Sequence, residues 1–230
     1  MRPVGYMVRY PGGPQGEKGQ FYTYILAANG LWIEAEGALL SARILVMACE
    51  VRGLAPLESH VALTYGSIPQ RFWDLALSAF MADPDQERYV AVTVDGGYNF
   101  YVPAQERRSA SVTYDAAANV VLELHSHGKM RAFFSGQDDK DEQGLRLYGV
   151  IGTLRNDPVV KFRIGVYGYF MELNWRDIFS GTITGALEFY GEEVEKLDGI
   201  RSNPEAHGEQ LEYLSRWLRG DWWLRGGGPM

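Results

Sequence analysis

Between residues 20 and 174 the sequence is a succession of short β-branched and aromatic runs, broken by one long helical pattern, and such a chain must fold around sheets. Phe21-Tyr-Thr-Tyr-Ile-Leu and Leu31-Trp-Ile-Glu-Ala-Glu flank Ala28-Asn-Gly30, the mark of a hairpin with positive φ at its turn. A third strand is expected over 43–50, with His60 starting another. Further strands are expected over 88–94, 98–102, 119–125, 145–154, 159–166 and 169–174. Ser67-Ile-Pro-Gln70 has the form of a capping box with Pro69 in the first turn. Phe72, Leu75, Ala76, Ala79 and Phe80 then repeat at helical spacing until Asp83-Pro84 stops the helix.

The flanks read differently. Residues 1–19 are rich in glycine and proline and read as a loose arm. A C-terminal helix is expected over 204–219, with Leu211, Leu214, Trp217 and Leu218 on one face, followed by a Gly-rich tail. The organisation expected is a β-rich region over 1–66, a helix-then-strands unit over 67–180, and a helical extension with its tail over 181–230.

Bulk properties exclude several functions. At 230 residues and 46% hydrophobic, the chain can bury one large core or two small ones. A net charge of -7 argues against nucleic-acid partners, which require clustered Lys and Arg. No run approaches the ~18 apolar residues that span a bilayer, and the N-terminus lacks the apolar core of a signal peptide, so a cytoplasmic location is expected. The single cysteine, Cys49, excludes an internal disulfide and a Cys-rich zinc site, and its apolar surroundings read as a buried strand with an inert thiol.

Chemistry concentrates in Glu123-Leu-His-Ser-His-Gly-Lys-Met-Arg-Ala-Phe-Phe-Ser-Gly-Gln-Asp138. His125 and His127 are one residue apart at the end of a strand, so both rings can meet one cation. Ten residues separate His127 from Asp138, enough for the chain to fold back and bring a carboxylate to them. Two imidazoles, a carboxylate and an open position are the ligand set of a catalytic zinc. Each part has a plainer explanation, since Ser135-Gly-Gln-Asp138 also fits a helix capping box. Their coincidence within fourteen residues favours the site. His60 and His207 have no ligand-spaced neighbours. No His-Glu-x-x-His, Walker loop or Gly-x-Ser-x-Gly is present.

His125-Ser-His127, ten residues and Asp138, with Ser135-Gly136 just before it, resemble the JAMM motif of the JAB/MPN metalloproteases. The order of elements over residues 67–180 is similar to that family's, and the flanks look most like its prokaryotic PRTRC-system A branch. The resemblance implies an α/β fold of the MPN, cytidine deaminase-like kind: a mixed sheet flanked by helices, here with a β-rich N-terminal extension and a C-terminal helix. It also implies zinc on His125, His127 and Asp138. Glu87, ahead of the strand over 88–94, stands where the family has its general base, and Ser135 stands where it has an oxyanion donor. Glu87 is not followed by the family's usual glycine and leucines. Glu123, on the same alternate face as the two histidines, remains a rival base. Gly128 replaces the usual proline after the second histidine, which is expected to loosen the turn without removing a ligand.

By the same resemblance the reaction is hydrolysis of a peptide or isopeptide bond after the C-terminal Gly-Gly of a ubiquitin-like protein. The implied setting is a bacterial pathway with E1-like and E2-like partners. A sulfur-carrier protein or another peptide is an alternative substrate, and a metal-free MPN scaffold is the alternative outside enzymes. Leu224-Arg-Gly-Gly227 resembles the end of ubiquitin, which suggests an autoinhibitory segment as an alternative to a disordered tail.

Overall fold

A computed structural model describes residues 2–103, 119–188 and 200–202, the last three as backbone only. The expected C-terminal helix, His207 and the Leu224–Gly227 tail lie outside the described residues.

Seventeen elements follow one another along the described chain. The first six strands are β1 (Val4–Tyr10), β2 (Gly13–Glu17), β3 (Tyr22–Ala27), β4 (Gly30–Glu36), β5 (Leu40–Ala48) and β6 (His60–Leu63). Then come α1 (Arg71–Met81), β7 (Tyr89–Val94), β8 (Tyr98–Tyr101), β9 (Val120–Ser126), α2 (Gly136–Asp141), β10 (Leu145–Gly152), β11 (Val159–Val166) and β12 (Tyr169–Leu173). A short α3 (Trp175–Ile178), β13 (Leu187–Glu188) and β14 (Ile200–Ser202) complete the set. The strands form two mixed sheets, ordered β2-β1-β3-β4-β5-β6 and β14-β12-β11-β10-β9-β7-β8, with β13 beside β11.

The expected loose arm over residues 1–19 is instead β1 and β2. Its glycines and prolines serve a hairpin turn, and Pro14 sits on an edge strand, where a missing N–H is tolerated. β1 then pairs parallel with β3. The β3–β4 hairpin forms as expected, with Ala28 and Asn29 in the turn and Gly30 opening β4 at φ 149°. A Cβ on Gly30 would come within 2.5 Å of the Met47 carbonyl on β5, so only glycine lets the two strands approach. Cys49 is exposed rather than buried, because β5 ends at Ala48, and its last residues, Met47 and Ala48, though still paired with β4, are already exposed to solvent.

The helix α1 begins later than its capping pattern predicts. Ile68 N–H donates to the Ile178 carbonyl at 2.8 Å and Ser180 N–H to the Ile68 carbonyl at 2.9 Å, so this stretch is held as a bridge and Ser67 does not cap. Gln70 takes the N-cap position without a side-chain cap. The buried side chains are Phe72, Trp73, Ala76 and Phe80, whereas Leu75 is exposed. Trp73 displaces it from the expected stripe, packing edge-on against Phe162 and Trp175 and donating its indole N–H to the Thr184 carbonyl at 2.9 Å.

A single hydrophobic core joins the two sheets. Ile33, Leu40 and Ile44 from β4 and β5 belong to the same buried cluster as Leu122, Leu147, Ile164 and Val166. Across this seam the Tyr24 and Tyr169 hydroxyls meet at 3.0 Å. The β9–α2–β10 stretch has the other important topology. β9 and β10 are adjacent and parallel, so the chain must cross over between them, and α2 lies on that crossover. The crossover starts at the C-terminal end of β9, the end at which open α/β sheets gather ligands.

Candidate metal centre

β9 lies between β7 and β10 in its sheet and delivers His125 near its end, with His127 just beyond. The extension is fixed by backbone bonds. His127 N–H donates to the Ile151 carbonyl at 2.8 Å, Leu154 N–H to the Gly128 carbonyl at 3.0 Å and Thr153 N–H to the Met130 carbonyl at 2.7 Å. Gly128 turns the chain at φ 57°, a conformation closed to proline. The expectation that Gly128 loosens this turn is therefore corrected: the turn is pinned, and glycine is what its path requires.

The two imidazoles converge. His125 Nε2 and His127 Nε2 are 3.2 Å apart, and Asp138 Oδ1 lies 3.6 Å from His125 Nε2. Donor atoms from all three residues fall within 4.8 Å of one another. Four-coordinate zinc with arms of about 2.1 Å has ligand–ligand edges of about 3.4 Å, so the two spacings from His125 Nε2 match one ion and all three groups are within reach of it. His127 Nδ1 lies 3.4 Å from the Arg131 carbonyl, an arrangement in which Nδ1 carries the proton and Nε2 keeps a free lone pair. Burial pulls the His125 imidazolium down to about 4, with Asp138 opposing and His127 and Arg163 adding to the shift. Its ring is accordingly neutral, as a metal ligand must be. The residues fit a divalent transition metal.

Asp138 divides its carboxylate. Ser135 is the extended N-cap of α2; Asp138 N–H donates to Ser135 Oγ at 3.2 Å, and Ser135 N–H donates to Asp138 Oδ2 at 2.5 Å. The capping box anticipated as an alternative is therefore real, and it leaves Oδ1 for the histidines. Ser135 Oγ accepts in this cap, so its own O–H remains available to donate.

Glu87 is exposed and lies one residue before Arg88, outside β7. Tyr89 pairs with His125, and Ser126 N–H donates to the Arg88 carbonyl at 2.8 Å, so continuing the register sets Glu87 across from His127. Its carboxylate is not among the three clustered groups. Its loop is tied down by Asp85, which accepts from Arg155 Nε at 2.7 Å and pairs with Lys129 at 3.3 Å. The Arg155 bond leads the causes that hold the Asp85 carboxyl down at about 2. Glu123 is engaged differently, paired with Arg146 from β10. Burial raises its carboxyl while Arg146 opposes the rise.

One cluster beside the site has no counterpart among the sequence expectations. Arg163 on β11 is buried with Glu142, the C-cap of α2 one turn beyond Asp138, and bonded to Asp139, which follows Asp138 directly. Lys161 and Arg163 alternate with Val160, Phe162 and Ile164, a pattern that ordinarily marks a solvent face. The only available signal was the charge itself.

Comparison with known proteins adds a family. A family model of prokaryotic homologues of the JAB domain matches residues 54–165, which include β6, α1, β7 to β10, α2 and most of β11. No curated protein and no solved structure matches the chain. The matched segment contains Glu87, Glu123, His125, His127, Ser135 and Asp138. Residues 54–165 thus form a prokaryotic JAB domain of the JAB/MPN family.

Proposed function

We propose that the protein is a zinc-dependent JAMM-type peptidase that cuts a peptide or isopeptide bond after the C-terminal Gly-Gly of a ubiquitin-like protein. The observation that carries this reading is the convergence of His125, His127 and Asp138 at spacings suited to one zinc ion. Membership in the JAB/MPN family, which includes peptidases, supports the reaction class.

Bound by these three residues, zinc supplies Lewis acidity and activates water at neutral pH. The chain's own residues do the rest. Glu87 takes the proton of the attacking water and passes it to the leaving amine, acting as general base and then general acid. Its register position across from His127 supports that role, and so does the occupation of its rival Glu123 by Arg146. Ser135 Oγ–H donates to the oxyanion that develops as the carbonyl is attacked, while its lone pair continues to cap α2. A Gly-Gly tail suits a narrow site because it has no side chains and lies extended.

The test is incubation of the purified chain with a ubiquitin-like protein carrying an extra C-terminal peptide, with and without a chelator, alongside metal analysis. Cleavage after Gly-Gly that stops with chelator and returns with zinc is expected. Binding of the fusion without any cleavage by zinc-loaded protein would sink the peptidase reading in favour of a scaffold.

A further inference from the structure

The helix that presents Asp138 has little of its own to hold it in place. α2 is six residues long and none of them is buried, so neither intrinsic propensity nor an apolar face accounts for its position. Its anchor is polar. Arg163 reaches from the middle of β11, with 4% of its side chain exposed, and donates from Nε and Nη2 to Glu142 Oε2 at 2.8 and 2.6 Å. Its Nη1 donates to Asp139 Oδ1 at 2.6 Å. The guanidinium lies between the rings of Phe134 and Phe170, 3.9 and 3.8 Å from their centroids.

These contacts bracket Asp138. Phe134 precedes the cap Ser135, Asp139 follows the ligand directly, and Glu142 lies one turn on, its N–H donating to the Asp138 carbonyl at 2.9 Å. We propose that Arg163 is the positioning residue of the metal centre: its three-point grip fixes α2 against β11 so that Asp138 Oδ1 stays on the two imidazoles. This rests on the reading of His125, His127 and Asp138 as ligands.

The chemistry of the grip favours arginine. A planar fork contacts two carboxylates and two ring faces at once, which the point charge of lysine does not. Stability alone does not require it, because buried ion pairs can often be replaced by apolar groups without loss. A bare cation beside His125 would repel a metal ion. Asp139, ion-paired with Arg163 Nη1, offsets that charge, so the clamp and the site coexist.

Loss of an outer-shell partner of this kind lowers metal affinity by about 10- to 100-fold. The experiment is zinc titration against a chromophoric chelator on the full chain, with hydrogen exchange of residues 135–142 in the metal-free proteins. Wild type, Arg163→Met, Arg163→Lys, Glu142→Gln and His125→Ala are compared. Arg163→Met is expected to lose about 10- to 100-fold in zinc affinity and to lose amide protection in α2 before any metal is added. Arg163→Lys and Glu142→Gln fall between it and wild type. His125→Ala abolishes zinc binding but keeps α2 protected. If Arg163→Met binds zinc within twofold of wild type, or keeps wild-type protection in α2, the proposal is overturned and Arg163 is a core ion pair only. Should wild type itself bind no zinc, the metal reading falls and the proposal with it. Normal zinc binding by both wild type and Arg163→Met removes the proposal alone.

Discussion

At the scale of single residues, the site separates roles that the sequence places side by side. Ser135 illustrates this, since one oxygen caps a helix and offers a proton. Ser135→Ala is expected to destabilise the fold by only about 1 kcal/mol, the usual cost of a lost cap. It should lower kcat by roughly 10²-fold through the lost oxyanion donor. Denaturation and steady-state kinetics on the same preparation separate the two effects, and a kcat unchanged from wild type would assign Ser135 to capping alone. His125 contributes to the pH response. Its pKa in the fold, about 4, lies below the ordinary ~6.5, so the unfolded chain binds the proton more readily. The contribution of His125 to stability is therefore full above about 6.5 and is lost as pH falls toward 4. Glu142, whose carboxyl is pushed up to about 8 by burial, contributes in the opposite sense, its share being lost as pH rises toward 8. Thermal melts of metal-free wild type and His125→Gln isolate the histidine: the Tm of wild type relative to the variant should fall as pH is lowered from about 6.5 toward 4, and a pH-independent difference would remove His125 from the response.

At the scale of elements, two positions depend on backbone path. Gly128→Pro would install the residue that the family resemblance expects, yet φ at 57° is out of proline's reach. The variant should lose stability and weaken zinc binding, whereas Gly128→Ala should cost about 1–2 kcal/mol, the penalty of a Cβ in the left-handed region. Urea unfolding and the zinc titration measure both; a Pro variant as stable as wild type would mean that the turn can adopt the other path. Trp73 anchors α1 at the meeting of Phe162, Trp175 and Phe179 and is fully buried. Trp73→Ala should cost about 3–5 kcal/mol by leaving a cavity. The helical period over 72–80 was legible, but the choice of Trp73 over Leu75 was not. That choice depends on which aromatic rings arrive from β11 and α3, over eighty residues away in the chain.

At the scale of the whole molecule, the N-terminal sheet is not an appendage. Ile33, Leu40 and Ile44 pack into the same core as Leu147, Ile164 and Val166, and the Tyr24–Tyr169 hydroxyl pair crosses between the sheets. The two sheets should unfold together. Chemical denaturation followed by circular dichroism and by tryptophan fluorescence is expected to give coincident transitions. A separate early transition for one sheet would show that the shared core does not couple them. Among the described residues, no helix is long and apolar enough to cross a membrane.

The sequence by itself determined the local elements and the His-His-Asp cluster. Alternation, turn chemistry and helical period are short-range, and His125, His127 and Asp138 are brought together by one strand end and the crossover that follows it. Tertiary structure decided what depends on partners distant in sequence. It made strands of the first nineteen residues, because β1 finds β3 and β2 finds β1. It exposed Cys49, and it took Ser67 out of its cap by pairing Ile68 with the chain near Phe179. It also buried Arg163 beneath α2, where a strand's alternation would have placed it in water. The physical reason is the same in each case. A side chain's neighbours along the chain fix its conformation, but its burial, charge and reach depend on which surface the fold brings against it.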